Sequence, residues 1–200
     1  TANTTADNNT AVGHNSLGAN TTGDRNVAIG INALDANTTG DKSVAVGGWA
    51  LSAQNPVSNA DMHNTGVGYY AGASVTTGVE NTLIGGLAGD ALTDANYNVA
   101  LGYNALTADT LGSRTIAIGY AALQKQNFTS ATDSYNVAVG HAAGGEVTTG
   151  ANNTIIGGLA ADALTTGSNN VALGRSALGT STTASNNTAL GYAALNANTT

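Results

Sequence analysis

Any catalysis or metal binding in this chain has to come from three histidines and twelve carboxylates, because it contains no cysteine. His14 and His141 occupy the same place in a repeated sequence word but lie seven repeats apart, and His63 lies elsewhere. A histidine trio could then meet only around a symmetry axis. The residues found at that place in other repeats, Tyr, Gly, Ile and Arg, indicate a variable side chain instead. Asp24 and Asp41 each follow a glycine, but the Gly-Gly-x-Gly-x-Asp rule of calcium-binding rolls is absent. Glycoside cleavage, as in a polysaccharide-degrading spike, needs two carboxylates facing each other across a groove. The acids that recur in corresponding places, Asp61 with Asp133 and Asp90 with Asp162, are each 72 residues apart. No Gly-x-Ser-x-Gly elbow or phosphate-binding loop occurs. The sequence thus predicts no catalytic residue, no cofactor and no metal site, and a protein that is not an enzyme.

The overall charge narrows the partners. A net charge of −7 with five Lys and Arg gives no basic footprint for nucleic acid or for an anionic membrane. There is no apolar run long enough to span a bilayer and no charged-then-apolar leader in this sequence. Neither nucleic-acid binding nor membrane insertion by this segment is expected.

The residues just considered are carried by a short word that recurs throughout the chain, Asn98-Val99-Ala100-Leu101-Gly102-Tyr103-Asn104-Ala105-Leu106 in its central copy. Counting its Asn as position 1, copies begin at residues 9, 26, 43, 64, 81, 98, 115, 136, 153, 170 and 187, which makes one array of eleven units over residues 1–200. The interval is 17 residues, or 21 after Ser43 and Thr115. Both ends fall inside a unit with no polar cap, so the array is expected to be an excerpt of a longer fibre. Position 5 is glycine in every unit: Gly13, Gly30, Gly47, Gly68, Gly85, Gly102, Gly119, Gly140, Gly157, Gly174 and Gly191. Such a column marks a backbone requirement, either a positive φ or a close approach of another chain segment. Every acid lies at position 10 or beyond, which places the outer rim in the far half of the unit. Positions 9 and 12 compensate. Seven units pair Leu with a polar residue, and four reverse this, as Gly72 with Val75 and Gly89 with Leu92, so each rung needs one apolar plug.

A helical-hairpin solenoid is excluded by glycine at every position 5 and threonine at position 13, which would weaken every helix. The period predicts an all-β, parallel β-solenoid with one unit per rung, two short strands and two turns in each, about 50 Å long at about 4.8 Å per rung. Asn at position 1 in nine units forms either a side-chain amide ladder or a row of simple turn formers. The strand at positions 2 to 5 has no charge on either face, and one face is left for another surface to cover, most economically a further copy of the chain.

The motifs Asn-Val-Ala-Ile-Gly-x-x-Ala (Asn26 to Ala33) and Asn-Thr-Ala-Leu-Gly-Tyr-Ala-Ala-Leu (Asn187 to Leu195) resemble the head repeat of YadA-type trimeric autotransporter adhesins and the similar arrays of phage tail fibres. The resemblance covers all eleven units. It implies a left-handed β-roll, a homotrimer, an extracellular place on a virion or cell surface, and surface attachment. The longer unit with its Thr-Thr-Gly turn favours the phage-type arrays over the adhesin head. A different class of function is raised by the threonine column at position 13, namely ice binding by a ranked flat surface, although the two long turns interrupt that rank.

Residues 43–114 align with 115–186 unit by unit, so a four-rung block is duplicated, and the long turns, 52–63 and 124–135, correspond within it. Binding residues favour loops held on a rigid scaffold. Asn55, Pro56, Met62, His63, Asn127, Phe128 and Tyr135 are therefore the candidate contacts to a host-surface receptor or a sister fibre.

Overall fold

The computed structural model describes residues 4–198. It is an all-β, parallel solenoid, with no helix among the described residues. In chain order the strands are β1 (Thr10–Val12), β2 (Val27–Ile29), β3 (Gly40–Asp41), β4 (Val44–Val46), β5 (Ala60–Asp61), β6 (Thr65–Val67), β7 (Thr82–Ile84) and β8 (Val99–Leu101). There follow β9 (Gly112–Ser113), β10 (Ile116–Ile118), β11 (Thr132–Asp133), β12 (Val137–Val139), β13 (Thr154–Ile156), β14 (Val171–Leu173) and β15 (Thr188–Leu190). The eleven three-residue strands are positions 2 to 4 of the eleven units, and they form one parallel sheet in sequence order. Register is unit on unit: Val99, Ala100 and Leu101 lie beside Ile116, Ala117 and Ile118.

The expected second strand of each unit is mostly missing. Only β3 with β5 and β9 with β11 pair on the far side, next to the long turns. Elsewhere side chains replace the ladder carbonyl at position 16. Asp24 Oδ1 and Asp41 Oδ1 accept the N–H of Asp7 and Asp24 at 2.6 Å, and Asn96 Oδ1 accepts that of Val79 at 2.8 Å. A short polar side chain thus competes with strand pairing for the backbone donor.

The invariant glycines meet both requirements at once. At Gly102 φ is +138°, and an added Cβ would sit 2.5 Å from the carbonyl oxygen of Gly119 in the next rung. The rung also turns through left-handed backbone at positions 7, 9 and 17, where non-glycine residues stand, as Asn104 (φ 57°), Leu106 (φ 56°) and Arg114 (φ 60°). Each such residue costs about 1–2 kcal/mol, offset here by bonds between rungs. Leu106 N–H reaches Ala122 O at 3.0 Å, and Asn104 N–H reaches Gly86 O at 3.1 Å.

The interior is narrow. Position 3 points inward, so Ala28, Ala45, Ala100, Ala117 and Ala172 are buried. The plugs fill the remainder: Leu34, Leu51, Leu106, Leu123 and Leu178 from position 9, and Val75, Leu92, Val147 and Leu164 from position 12, all inaccessible to solvent. Where position 9 is glycine, a larger position-3 residue occupies the space. Leu83 Cδ1 lies 2.6 Å from where a Gly72 Cβ would stand, and Ile155 Cδ1 lies 2.9 Å from that of Gly144.

The Asn column closes each rung. Asn98 Nδ2 donates to Gly112 O of its own unit at 3.0 Å, while its Oδ1 accepts the N–H of Thr115 in the next rung at 2.9 Å. It is a ladder, chiefly of amide to backbone. The two long rungs carry Ser43 and Thr115 there, too short for this reach, and a buried glutamine at position 12 replaces the link. Gln54 Oε1 accepts from Ser43 Oγ and Asn64 Nδ2 at 3.1 and 3.0 Å. Gln126 donates to Thr115 Oγ1 at 3.0 Å and accepts from Asn136 at 2.8 Å.

Candidate interaction surfaces

The outer face of the long sheet is built by positions 2 and 4. It carries no charged residue in any rung, and Val12, Ile29, Leu101, Ile156, Leu173 and Leu190 are exposed on it. Alternation along a three-residue strand causes this: the middle side chain enters the solenoid and its two neighbours point out.

Of the seven candidate contact residues, three are not at the surface. Pro56, Met62 and Phe128 are buried, whereas Asn55, His63 and Tyr135 are exposed and Asn127 is half-buried. Met62 and Phe128 fill the far turn from alternative places. Met62 is wholly enclosed beside Pro56, both within about 3 Å of a would-be Gly40 Cβ (3.0 and 3.1 Å). In the second block the place of Met62 is taken by Ser134, whose hydroxyl lies 2.6 Å from Thr115 Oγ1, and Phe128 supplies the apolar bulk. Projecting outward are instead residues 57–59 and 129–131, with Val57 98% exposed.

Both long turns are pinned by the same clamp. Lys42 Nζ meets Asp61 Oδ2 at 2.5 Å, and Arg114 Nε meets Asp133 Oδ2 at 3.0 Å. His63 lies 3.8 Å from Asp61, and Tyr135 donates to Asp133 at 3.3 Å. Hydrogen bonding from Lys42 holds the Asp61 carboxyl below its ordinary value, and Asp133 raises Arg114 further. Asn55 and Asn127 take the threonine place and keep its rung contacts, Asn55 Oδ1 accepting from Thr38 Oγ1 at 2.7 Å.

The acids do not gather into a reactive pair. Asp90 and Asp162 are four rungs apart, about 19 Å. One acid departs from the expected outer rim. Asp109 is fully buried, its carboxylate accepting from Gln126 Nε2 at 2.6 Å, Phe128 N–H at 3.0 Å and Gly112 N–H at 3.1 Å. Three donors compensate its desolvation. Asp24 and Asp41, the residues weighed for calcium, accept backbone N–H groups. The position-13 hydroxyls also turn along the rod: Thr21 donates to Thr38 O at 3.0 Å, Thr93 to Thr110 O at 3.1 Å and Thr165 to Thr182 O at 2.8 Å.

Asp90 gives a pH-dependent test. Burial raises its carboxyl above the ordinary value, only partly opposed by a 2.5 Å hydrogen bond from Thr107. A raised folded value means that ionised Asp90 opposes folding, a cost absent below the unfolded value and fully present above the folded one. Asp90→Asn is therefore expected to raise the melting temperature at pH 7 by about 1–2 °C, since the group keeps part of its solvent shell, and to leave it unchanged at pH 3. Melting followed by circular dichroism at both pH values decides it.

A feature absent from the sequence expectations is the column at position 6, on the corner after the glycine bend. Tyr103, Tyr120 and His141 stack in succession, with centroids 5.9 and 5.2 Å apart and planes inclined by 17° and 11°. Trp49 and Tyr70 stack similarly at position 7, with Tyr69 edge-on to both. The signal was the spacing of tyrosines at 17-residue intervals, which is visible in the sequence once the period is known.

Compared with protein-family models, with curated proteins and with solved structures, the chain matches none.

Proposed function

We propose that this chain is a structural segment of an extracellular, homotrimeric fibre used for surface attachment, of the phage tail-fibre kind, with the head of a bacterial trimeric adhesin as the alternative source. The observation that carries the reading is the outer sheet face, free of charge in eleven successive rungs and studded with exposed Val, Ile and Leu. A continuous apolar stripe along a rod is a self-association surface, because a soluble monomer seldom leaves one uncovered. Three left-handed rolls packed through these faces cover it and put the projecting turns outward, where a host surface or sister fibre is met. The motif resemblance supports the same arrangement. A rigid, repetitive scaffold with two outward loops suits a spacer that presents contacts at a fixed interval.

The test is the mass in solution and its response to one outward charge. Light scattering is expected to give three times the 19.5 kDa chain. Leu101 points out and is 43% exposed, so Leu101→Asp leaves the interior of the single chain intact while placing an unpaired charge in the trimer contact. Dissociation at micromolar concentration, with β-sheet circular dichroism retained in the monomer, is the expected outcome. A wild-type chain that is a stable monomer removes the trimer. A virion-attachment domain beside this segment in the full gene would support the phage assignment, and a membrane anchor the adhesin.

A further inference from the structure

We infer that the corner of the rod at Gly158 is a cationic notch that takes the carboxylate of an acidic sugar, with His141 and Arg175 as its walls. The position-6 ring stack runs upward from Tyr103 through Tyr120 and stops at His141. Tyr120 covers one face of the imidazole, and the other looks along the column towards Gly158. That glycine has no side chain to continue the stack. A Cβ there would meet open space, its nearest neighbour being His141 O at 4.0 Å. In the rung above, Arg175 leans away, its guanidinium 5.8 Å from the Tyr192 ring centroid and Nη1 3.5 Å from the hydroxyl. A gap one rung deep is left between two exposed basic side chains, whose backbones are two rungs, about 9.6 Å, apart.

The chemistry of the gap is specific. Arg175 makes no ion pair among the described residues, while Glu146, an acid of the same region, is held by Lys125 at 2.7 Å. In a chain of net charge −7 a free guanidinium beside a vacant site is an uncompensated feature. Its planar fork matches a carboxylate with two parallel hydrogen bonds. The free imidazole face next to it offers an aromatic surface to the C–H groups of a sugar ring, and its nitrogens can bond hydroxyls. Carboxylate and ring together describe a uronate-type saccharide rather than a bare anion.

The duplicated block supplies an internal comparison. The same three places 72 residues earlier are Tyr69, Gly86 and Tyr103. There the Tyr103 ring comes down over the glycine, 3.3 Å from where its Cβ would be, so that copy is closed and uncharged. The inference deepens the attachment reading, on which the choice of a saccharide rests.

The experiment is a titration of the full chain, labelled for NMR, with sodium glucuronate, glucose and acetate at constant ionic strength. Glucuronate is expected to shift the His141 ring and Arg175 Nε–H resonances saturably at millimolar concentration, with glucose and acetate at least fivefold weaker. Gly158→Tyr and Arg175→Gln should each weaken glucuronate at least fivefold. Tyrosine is the resident of position 6 in four other rungs, and Gly158 has room for a side chain, so the first variant keeps the fold. Melting checks this. Undiminished binding by Gly158→Tyr, or no saturable shift at all, overturns the notch. Acetate binding as tightly as glucuronate overturns the saccharide and leaves a bare anion site. Light scattering on the same samples separates the two levels: a trimer that ignores glucuronate loses only the notch, and a monomer that binds it loses only the trimeric fibre.

Discussion

Gly102→Val is expected to break the array in two. The glycine sits at φ +138°, a region essentially closed to β-branched residues, and its Cβ would lie 2.5 Å from Gly119 O and 2.7 Å from the carbonyl carbon. Both clashing atoms are backbone of the next rung, whose strand β10 is already bonded to β8 and β12, so neither can move aside alone. Strain and collision together are expected to cost about 3–5 kcal/mol. In a one-dimensional stack the loss falls on a single interface between neighbours. Melting should therefore change from one transition to two, with rungs on either side of residue 102 unfolding separately and the first midpoint lowered by roughly 10 °C. The adjacent pair Gly157 and Gly158 gives the control. Gly157 has φ +134° with Gly174 backbone at 2.6 Å, whereas Gly158 has open space, so Gly157→Val should repeat the effect and Gly158→Val should not. A Gly102→Val chain that melts within about 2 °C of the parent, in one step, removes the rung-to-rung account of the glycine column.

The period made the rungs legible. Stacking at a fixed interval puts residues of equal position in contact, so the strand at positions 2 to 4, its parallel register and the requirement at position 5 follow from alignment of the chain with itself. The left-handed turns were written less openly. Their traces are Asn152, Asn169 and Asn186 at position 17, Asn15, Asn32 and Asn104 at position 7, and Gly72, Gly89 and Gly144 at position 9, all residues that tolerate positive φ. Leu34, Trp49 and Glu80 adopt the same conformation without any such tolerance, and they hide the rule. Only the cooperative bonding of successive rungs compels them, a tertiary effect with no local sign. The long turns misled for a related reason. An insertion reads as a loop in solvent, but its extra residue forms a bulge at Met62 and Ser134 that turns a side chain into the interior. Whether Pro56 and Met62, or Phe128 and Ser134, fill that space is decided by volume, and volume is not visible in a spacing.

Volume is also the basis of the plug rule, and a swap in the tenth rung should show it. Leu178 is fully buried, so Leu178→Gly removes its packing at about 3–5 kcal/mol. About 1 kcal/mol returns because φ there is 55°, a conformation that glycine adopts freely. Ser181, at position 12 of the same rung, is buried with a hydroxyl that has no hydrogen-bond partner. Ser181→Leu alone relieves that hydroxyl but crowds Leu178, with a net loss of about 1–2 kcal/mol. Combining the two recreates the arrangement of the fifth rung, where Gly89 accompanies Leu92. The double variant is expected to recover more than half of the loss from Leu178→Gly, a coupling of about 2 kcal/mol between sites three residues apart. Recovery stops short of complete because the fifth rung also has Leu83 against Gly89, at 2.8 Å from its would-be Cβ, while the tenth has only Ala172 at that place. Denaturant unfolding of the four chains measures the cycle. Strictly additive losses would mean that positions 9 and 12 fill separate spaces, and that their alternation along the sequence is coincidence.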